Sequence, residues 1–468
     1  MTRYKVLSLF SGAGGLDLGF VMTGKYEILV ANDIKDYMAR TYSINFKAKV
    51  TRGIKPGEFP QVVLGDVEHL DFSVLKGEDI DVIIGGPPCQ DFSVLRASTA
   101  ERGGILVKRG RLYVHFVRAL VELQPKAFVF ENVPGLTSAN RGLAYKVIID
   151  DFTNLRLRWS EIKKSLKGGG DNNSLGSSIR GYTLIFSEVV DATAFGVAQR
   201  RRRLIIVGLR NDLVKSRSVF ELMAVFKKLL YRKYGLLQKY PLTTLEVFEG
   251  KVISELQDKY VEVMKEYDGV WEEVGTPKAW EWKKKVWDKL SFDVIKDYLF
   301  FNRIPTRRED ELEEAINKHK EALREAGYYG KKVTEIRVRD RSLVPPPEPP
   351  EIREKIRMIP PGENYEFLVG SKWELRRKGV SQIYRRLNPL TPSYTVIAYG
   401  GGGMAMYHYE RSRSALTIRE KARLQSFPDE YVFTGSLSQM KAEVGEAVPP
   451  LMAKAIAEAL AQLLDDIV

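Results

Sequence analysis

Up to about residue 210 the chain alternates short apolar runs with helix-like segments, a pattern that admits few folds. The runs at 5–10, 26–31, 61–64, 81–84, 127–130, 182–190 and 203–209 have the length and composition of strands. Between them, the stretch at 111–123 sets Leu112, Phe116, Ala119, Leu120 and Leu123 on one helical face. Strands alternating with helices are expected to form an α/β fold, a doubly wound and mostly parallel sheet. In such a sheet ligands bind beyond the carboxyl ends of the strands. Chemistry is therefore sought in the residues that follow each run.

A chain of 468 residues exceeds one ordinary core, so a second domain is expected. From about residue 211 to 332 the sequence is long, charged and helical, with four of the six tryptophans, at Trp271, Trp280, Trp282 and Trp287. These could line a nucleic-acid groove, but Trp and Leu at helical spacing with Lys and Glu opposite more simply describe a packed bundle. The prolines at 345–350 read as a semi-rigid spacer, and the Gly-rich pieces at 167–180 and 400–403 as loops. The expected division is a catalytic and cofactor-binding domain at 1–211 completed by 439–468, with a smaller second domain at 212–438. A helical charged insert occupies about 217–332 of that second domain.

No run approaches the roughly 18 consecutive apolar residues of a membrane helix. The N-terminus enters a strand without a signal-peptide core, so a cytoplasmic location is expected, with no membrane partner and no obligate protein partner. Cys89 is the single cysteine, which excludes an intrachain disulfide and a zinc site built on several cysteines; no metal is expected. The 73 Lys and Arg against 60 Asp and Glu leave a net charge of +13, which suits a polyanion. Arg337 and Arg339, with Arg341, form the basic run best suited to DNA.

Cys89 sits in Gly85-Gly86-Pro87-Pro88-Cys89-Gln90, directly after the apolar run at 81–84. A lone cysteine is commonly a small buried hydrophobe. A cysteine meant for packing would lie inside the run, whereas this one follows two prolines that stiffen the chain at a strand exit. That is how a nucleophile is presented.

Other strand ends carry matching features. Phe10-Ser11-Gly12-Ala13-Gly14-Gly15-Leu16-Asp17 is a glycine turn entering a helix, where backbone can approach a ligand closely. The dinucleotide fingerprint GxGxxG would need glycine at Asp17. A carboxylate there is a poor neighbour for pyrophosphate but tolerates a sulfonium, which favours S-adenosylmethionine over a nicotinamide cofactor. Asp33 and Asp66 follow two further strands, each able to bind an adenosyl group or to cap a helix. Glu131, in Phe130-Glu131-Asn132-Val133-Pro134, is placed for burial with a raised pKa, suited to sharing a proton. In Gln199-Arg200-Arg201-Arg202-Arg203, strand alternation puts Arg201 and Arg203 on one face as an anion or carbonyl clamp.

Together these segments resemble the DNA cytosine-5 methyltransferases of prokaryotic restriction-modification type. Residues 10–15 are similar to the family's glycine motif, Pro87-Pro88-Cys89-Gln90 to its cysteine motif, Glu131-Asn132-Val133 to its glutamate motif and residues 199–203 to QxRxR. Arg413 with residues 416–428 resembles the ninth motif, and Gly445-Glu446-Ala447-Val448-Pro449-Pro450 the tenth, with Glu446 where the family carries Asn. The order is preserved, and the likeness covers 4–209 and about 386–460. It implies a Rossmann-like, S-adenosylmethionine-dependent methyltransferase acting on a cytosine flipped from double-stranded DNA, with 212–438 as target-recognition domain. Cys89, Glu131, Arg201 and Arg203 would be catalytic. Phe10, Ser11, Gly12, Gly14, Gly15, Leu16, Asp33, Ile34, Asp66, Val67, Pro88, Leu112, Ala447 and Val448 would hold the cofactor, and Gln90, Ser93, Gln199, Arg337 and Arg339 the DNA. An RNA-directed relative or a catalytically silent DNA-binding regulator are the alternatives. A silent regulator predicts erosion at the cysteine, glutamate or arginine positions, and all are intact.

Overall fold

The computed structural model describes residues 3–88, 112–164, 179–214, 217–305, 308–374, 383–400 and 406–467. Two compact units divide the chain. Met1–Asp191, Arg202–Lys233 and Met452–Val468 form the first, and Ala192–Arg201 with Tyr234–Leu451 the second.

The first unit is built on eight strands: β1 (Tyr4–Leu9), β2 (Tyr26–Asp33), β3 (Lys49–Thr51), β4 (Gln61–Leu64), β5 (Val82–Gly85), β6 (Ala127–Asn132), β7 (Tyr182–Asp191) and β8 (Arg202–Arg210). They lie in the order β3-β4-β2-β1-β5-β6-β8-β7. All pairs from β3 to β6 are parallel, whereas β8 runs antiparallel to both β6 and β7. The sheet is thus mostly parallel, as expected, with the short edge strand β3 added. Val6, Leu7, Leu9, Val82, Ile83 and Ile84 are all fully buried. Their unbroken apolar character reflects cover on both faces, which a parallel sheet flanked by helices requires.

Helices Gly15–Met22, Asp36–Phe46 and Leu112–Leu123 intervene between strands, as the alternation predicts. Phe116 on the last of these meets Phe128 and Phe130 edge-on at 5.9 and 5.5 Å, tying helix to sheet. The C-terminal helix Pro450–Ile467 also belongs here: Ala457 O accepts from the Tyr26 hydroxyl at 2.9 Å, and Asp465 from that of Tyr4 at 2.7 Å. The stretch Leu437–Ile467 is long and apolar enough to cross a membrane, but 78% of its most apolar window is buried inside the protein.

The first unit also extends past the boundary at 212 expected from composition, as far as Lys233. Helix Val219–Tyr231 is mostly apolar, its Leu222, Phe226 and Leu230 form a buried stripe, and Phe226 packs on Phe186 of β7 at 5.4 Å. Apolar residues such as Phe220 also lie on its outward face beside Lys227 and Lys228, so the buried stripe does not stand out in the sequence.

In the second unit short helices predominate, with a two-stranded ribbon of β9 (Arg385–Arg386) and β10 (Met406–Tyr407). Trp271, Trp282 and Trp287 pack against one another with centroids 5.2–6.4 Å apart, and Trp282 meets Phe367 edge-on at 6.1 Å. These rings form a core.

Asp17 is not the exposed neighbour of the glycine turn that the sequence suggested. Its side chain turns inward, fully buried, and accepts a hydrogen bond from Tyr42 Oη at 2.9 Å. Burial raises its pKa to about 6, an effect the Ser8 and Tyr42 hydroxyls only partly offset. The folded protein therefore binds more protons here than the unfolded chain between about pH 4 and 6, and this group's contribution to stability falls as pH rises through that window. Asp17→Asn should accordingly stabilise by about 3 kcal/mol at pH 8 and about 1 kcal/mol at pH 4.5. Thermal unfolding at the two pH values tests this, and an equal gain at both contradicts it.

Candidate active site

Because β1, β2, β4, β5 and β6 are parallel, their carboxyl ends share one edge of the sheet. The chain leaves β1 toward β2 on one side and later reaches β5 on the other, so a crevice opens between β1 and β5. The glycine turn and the cysteine turn both leave from this crevice.

At the end of β1, Phe10 and Gly12 both take left-handed backbone, φ 57° and 56°. A Cβ on Gly12 would meet no atom within 4 Å, so the turn offers bare backbone to open space. Gly14, φ 88°, serves packing instead, since a Cβ there would lie 2.4 Å from the Phe46 ring. Asp33 fastens the turn: Oδ2 accepts from Gly12 N at 2.9 Å and Oδ1 from Lys35 N at 2.8 Å. Ser11 N donates to Asn32 O at 2.9 Å.

Ile34 follows Asp33 and is 63% exposed, an unusual surface for isoleucine. Asp66 caps the short turn Val67–His69 by accepting from Glu68 N at 2.9 Å. Gly15, Leu16 and Val67 are buried, Leu112 packs partly against the core, and Pro88 is exposed. A bare glycine backbone, a fixed carboxylate and an exposed apolar side chain fit an adenosyl group, which needs acceptors for its ribose and a flat contact for its base.

The cysteine turn is clamped from two sides. A Cβ on Gly85 would fall 2.4 Å from Leu9 O in β1. On Gly86 it would fall 2.6 Å from Glu131 Oε2 and 3.3 Å from Glu131 O. Only glycine permits this approach to β6. Asn132, buried and absent from the residues singled out in the sequence, donates from Nδ2 to Pro87 O at 3.0 Å. Its position straight after Glu131 was the available signal. Cys89, Gln90 and Ser93 lie outside the described residues.

Glu131 and Arg203 meet directly. Arg203 Nε lies 2.8 Å from Glu131 Oε1, with the two side chains only 14% and 13% exposed. The sequence implied apolar surroundings for Glu131, and the structure gives it an arginine.

Arg201 is placed differently from the strand-face argument, because β8 begins at Arg202 and residues 192–201 belong to the second unit. There its guanidinium is buried and donates to Val396 O at 3.1 Å and Gly445 O at 2.9 Å. Gln199 is fully buried too: Nε2 donates to Gln425 Oε1 at 3.0 Å, and Oε1 accepts from Val396 N at 2.8 Å. Both side chains are thus engaged in holding the segment around Val396. Nearby in the same unit, Ala447 O accepts from Gln425, Val448 is buried, and Glu446 bonds the Tyr399 hydroxyl. Arg337 and Arg339 are exposed.

Over residues 4–462 the chain matches the family described as C-5 cytosine-specific DNA methylase. It belongs to that family. The DNA (cytosine-5-)-methyltransferase M.ApeKI of Aeropyrum pernix is 53% identical, covering 99% of this chain and 100% of the relative. The type II methyltransferase M.BbvI of Brevibacillus brevis is 30% identical over 98% of this chain and 91% of its own length. M.NgoFVII of Neisseria gonorrhoeae is 28% identical over 99% and 87%. A crystal structure from an E. coli prophage, described as a DNA modification methyltransferase, shares the fold with TM-score 0.51, 20% identity and coverage of 99% and 100%. The motif resemblance is borne out, and the protein is a DNA cytosine-5 methyltransferase.

The clamp yields a prediction for this methyltransferase. Gly86→Ala must push the Glu131 carboxylate off Arg203, so kcat should fall about a hundredfold, or about 2.7 kcal/mol. Melting should shift little, because the clash is with the tip of a side chain. Steady-state kinetics beside a thermal melt would show this, and unchanged kcat contradicts the clamp.

Proposed function

We propose that the chain transfers a methyl group from S-adenosylmethionine to carbon 5 of a cytosine extruded from a specific duplex sequence, through a transient bond to Cys89. The observation that carries this reading is the clamp itself. A stiff Gly-Gly-Pro-Pro turn leads straight to the cysteine, and its second glycine lies against a carboxylate already fixed by an arginine.

Carbon 5 of cytosine is a poor nucleophile, so the ring must first gain electron density. The Cys89 thiolate adds to carbon 6, converting the 5,6 double bond into a nucleophilic carbon 5. Glu131 holds ring nitrogen 3 and the amino group, with Arg203 on the ring carbonyl oxygen, stabilising the charge that builds up on addition. When bound, S-adenosylmethionine supplies an electrophilic methyl to carbon 5, and the glycine turn with Asp33 and Ile34 is the site for its adenosyl part. Loss of the carbon 5 proton and expulsion of the thiolate restore the ring.

A stacked base cannot meet these groups, so the cytosine flips out of the helix. Reading of the sequence falls to the segment at 212–438, with Gln90, Ser93, Arg337 and Arg339 as DNA contacts. Gln199 and Arg201, both buried, act by positioning the chain around Val396.

Expression in a host lacking cytosine methylation, followed by bisulfite sequencing, should reveal methylated cytosines within one recurring sequence; no protected cytosine would refute the reading. Cys89→Ser should cut methyl transfer at least about a thousandfold while leaving duplex binding intact. DNA carrying 5-fluorocytosine in that sequence should trap a covalent complex, since fluorine cannot leave as a proton does. A denaturing gel without a shifted band would count against the cysteine adduct.

A further inference from the structure

Residues 336–342 alternate between inward and outward positions. Ile336 and Val338 are half-buried and Ser342 is fully buried, while Arg337, Arg339 and Arg341 are exposed. The segment bends at 339–341 and turns at 342, and its three arginines are the exposed positions between inward ones.

The inward face is pinned. Asp340, with only 3% of its side chain exposed, accepts from Ser342 N and Phe433 N at 2.8 Å each and from Arg419 Nη2 at 3.0 Å. Arg419, fully buried, also donates from Nε to Ser342 Oγ at 3.0 Å and from its backbone N to Ser342 O at 2.8 Å. Two consequences follow. The segment is held in place, and its own carboxylate, Asp340, is already bonded to the guanidinium of Arg419.

Arg337, Arg339 and Arg341 have no ion-pair partner among the described residues. Elsewhere exposed cations commonly find one, as Lys285 does with Glu281 and Lys227 with Glu188. Glu335, exposed on the preceding turn, is one negative charge against three. Unneutralised guanidiniums on a preset side repel one another at a modest cost, and a row of phosphates relieves it.

We infer that Arg337, Arg339 and Arg341 form a strip that grips the phosphate backbone of duplex DNA irrespective of sequence, with Asp340 and Arg419 as the positioning peg beneath it. This rests on the reading of the protein as a DNA methyltransferase and deepens it. The strip supplies attachment and register, and base reading lies elsewhere.

The test is fluorescence anisotropy with the full chain at several salt concentrations on two duplexes. One is poly(dA-dT), which has no cytosine; the other carries the sequence mapped by bisulfite sequencing. Each single Arg→Ala variant should lower the slope of log affinity against log salt by about 1, and the triple variant by about 3. Both duplexes should weaken by the same factor. The triple Arg→Lys variant should keep the slope, because charge is retained, and Lys76→Ala, an exposed cation in the first unit, should leave it unchanged. An unaltered slope in the triple Ala variant, an equal loss with Lys76→Ala, a loss as large in the Lys variant, or weakening confined to the mapped sequence would each overturn the strip. Failure of the unmodified protein to bind either duplex, or to methylate DNA, would instead overturn the functional reading.

Discussion

The contact between Glu131 and Arg203, 2.8 Å long and mostly shielded from water, depends on one feature of topology. β6 and β8 are antiparallel, so the last residues of β6 lie beside the first residues of β8: Glu131 pairs with Ile205 and Asn132 with Leu204. Had β8 run parallel to β6, its leading arginines would lie at the opposite edge. The acidic group therefore lies at the end of its strand and the basic group at the start of its own. Asn132 holds the cysteine turn and Gly86 lies against Glu131, so the reversal of one strand sets the geometry on the β6 side of the crevice.

Much of this was legible beforehand. The apolar runs located every long strand of the sheet, because residues such as Val82, Ile83 and Ile84, buried on both sides, leave an unbroken signature. The glycine turn, Asp33 and Glu131 were found at strand exits for the same reason. What the sequence hid were relations that carry no local signature. Lys49–Thr51 is too short and too exposed to be read as a strand. The inward turn of Asp17 depends on Tyr42 from another helix. Strand alternation does not by itself place Arg201, because β8 begins only at Arg202.

The basic composition has a similar double meaning. Arg201, Arg386, Arg419 and Arg423 are all buried, each bonded to carbonyls or carboxylates, as when Arg423 binds Asp429 while also donating to Val247 O. Through these bonds the four act as braces within the second unit. Net charge alone cannot separate such braces from arginines that face a polyanion. Burial can, and it assigns Gln199 and Arg201 to the interior while leaving Arg337, Arg339 and Arg341 at the surface.

The account stands on Glu131 and Arg203 acting as one unit in the chemical step. A double-mutant cycle with Glu131→Gln, Arg203→Met and both together, read by single-turnover methyl transfer with DNA and S-adenosylmethionine saturating, measures this directly. Coupling of about 2 kcal/mol is predicted, so that the double variant is scarcely worse than either single one. Losses that add to within about 0.5 kcal/mol would mean the two side chains act independently, and the account would be wrong.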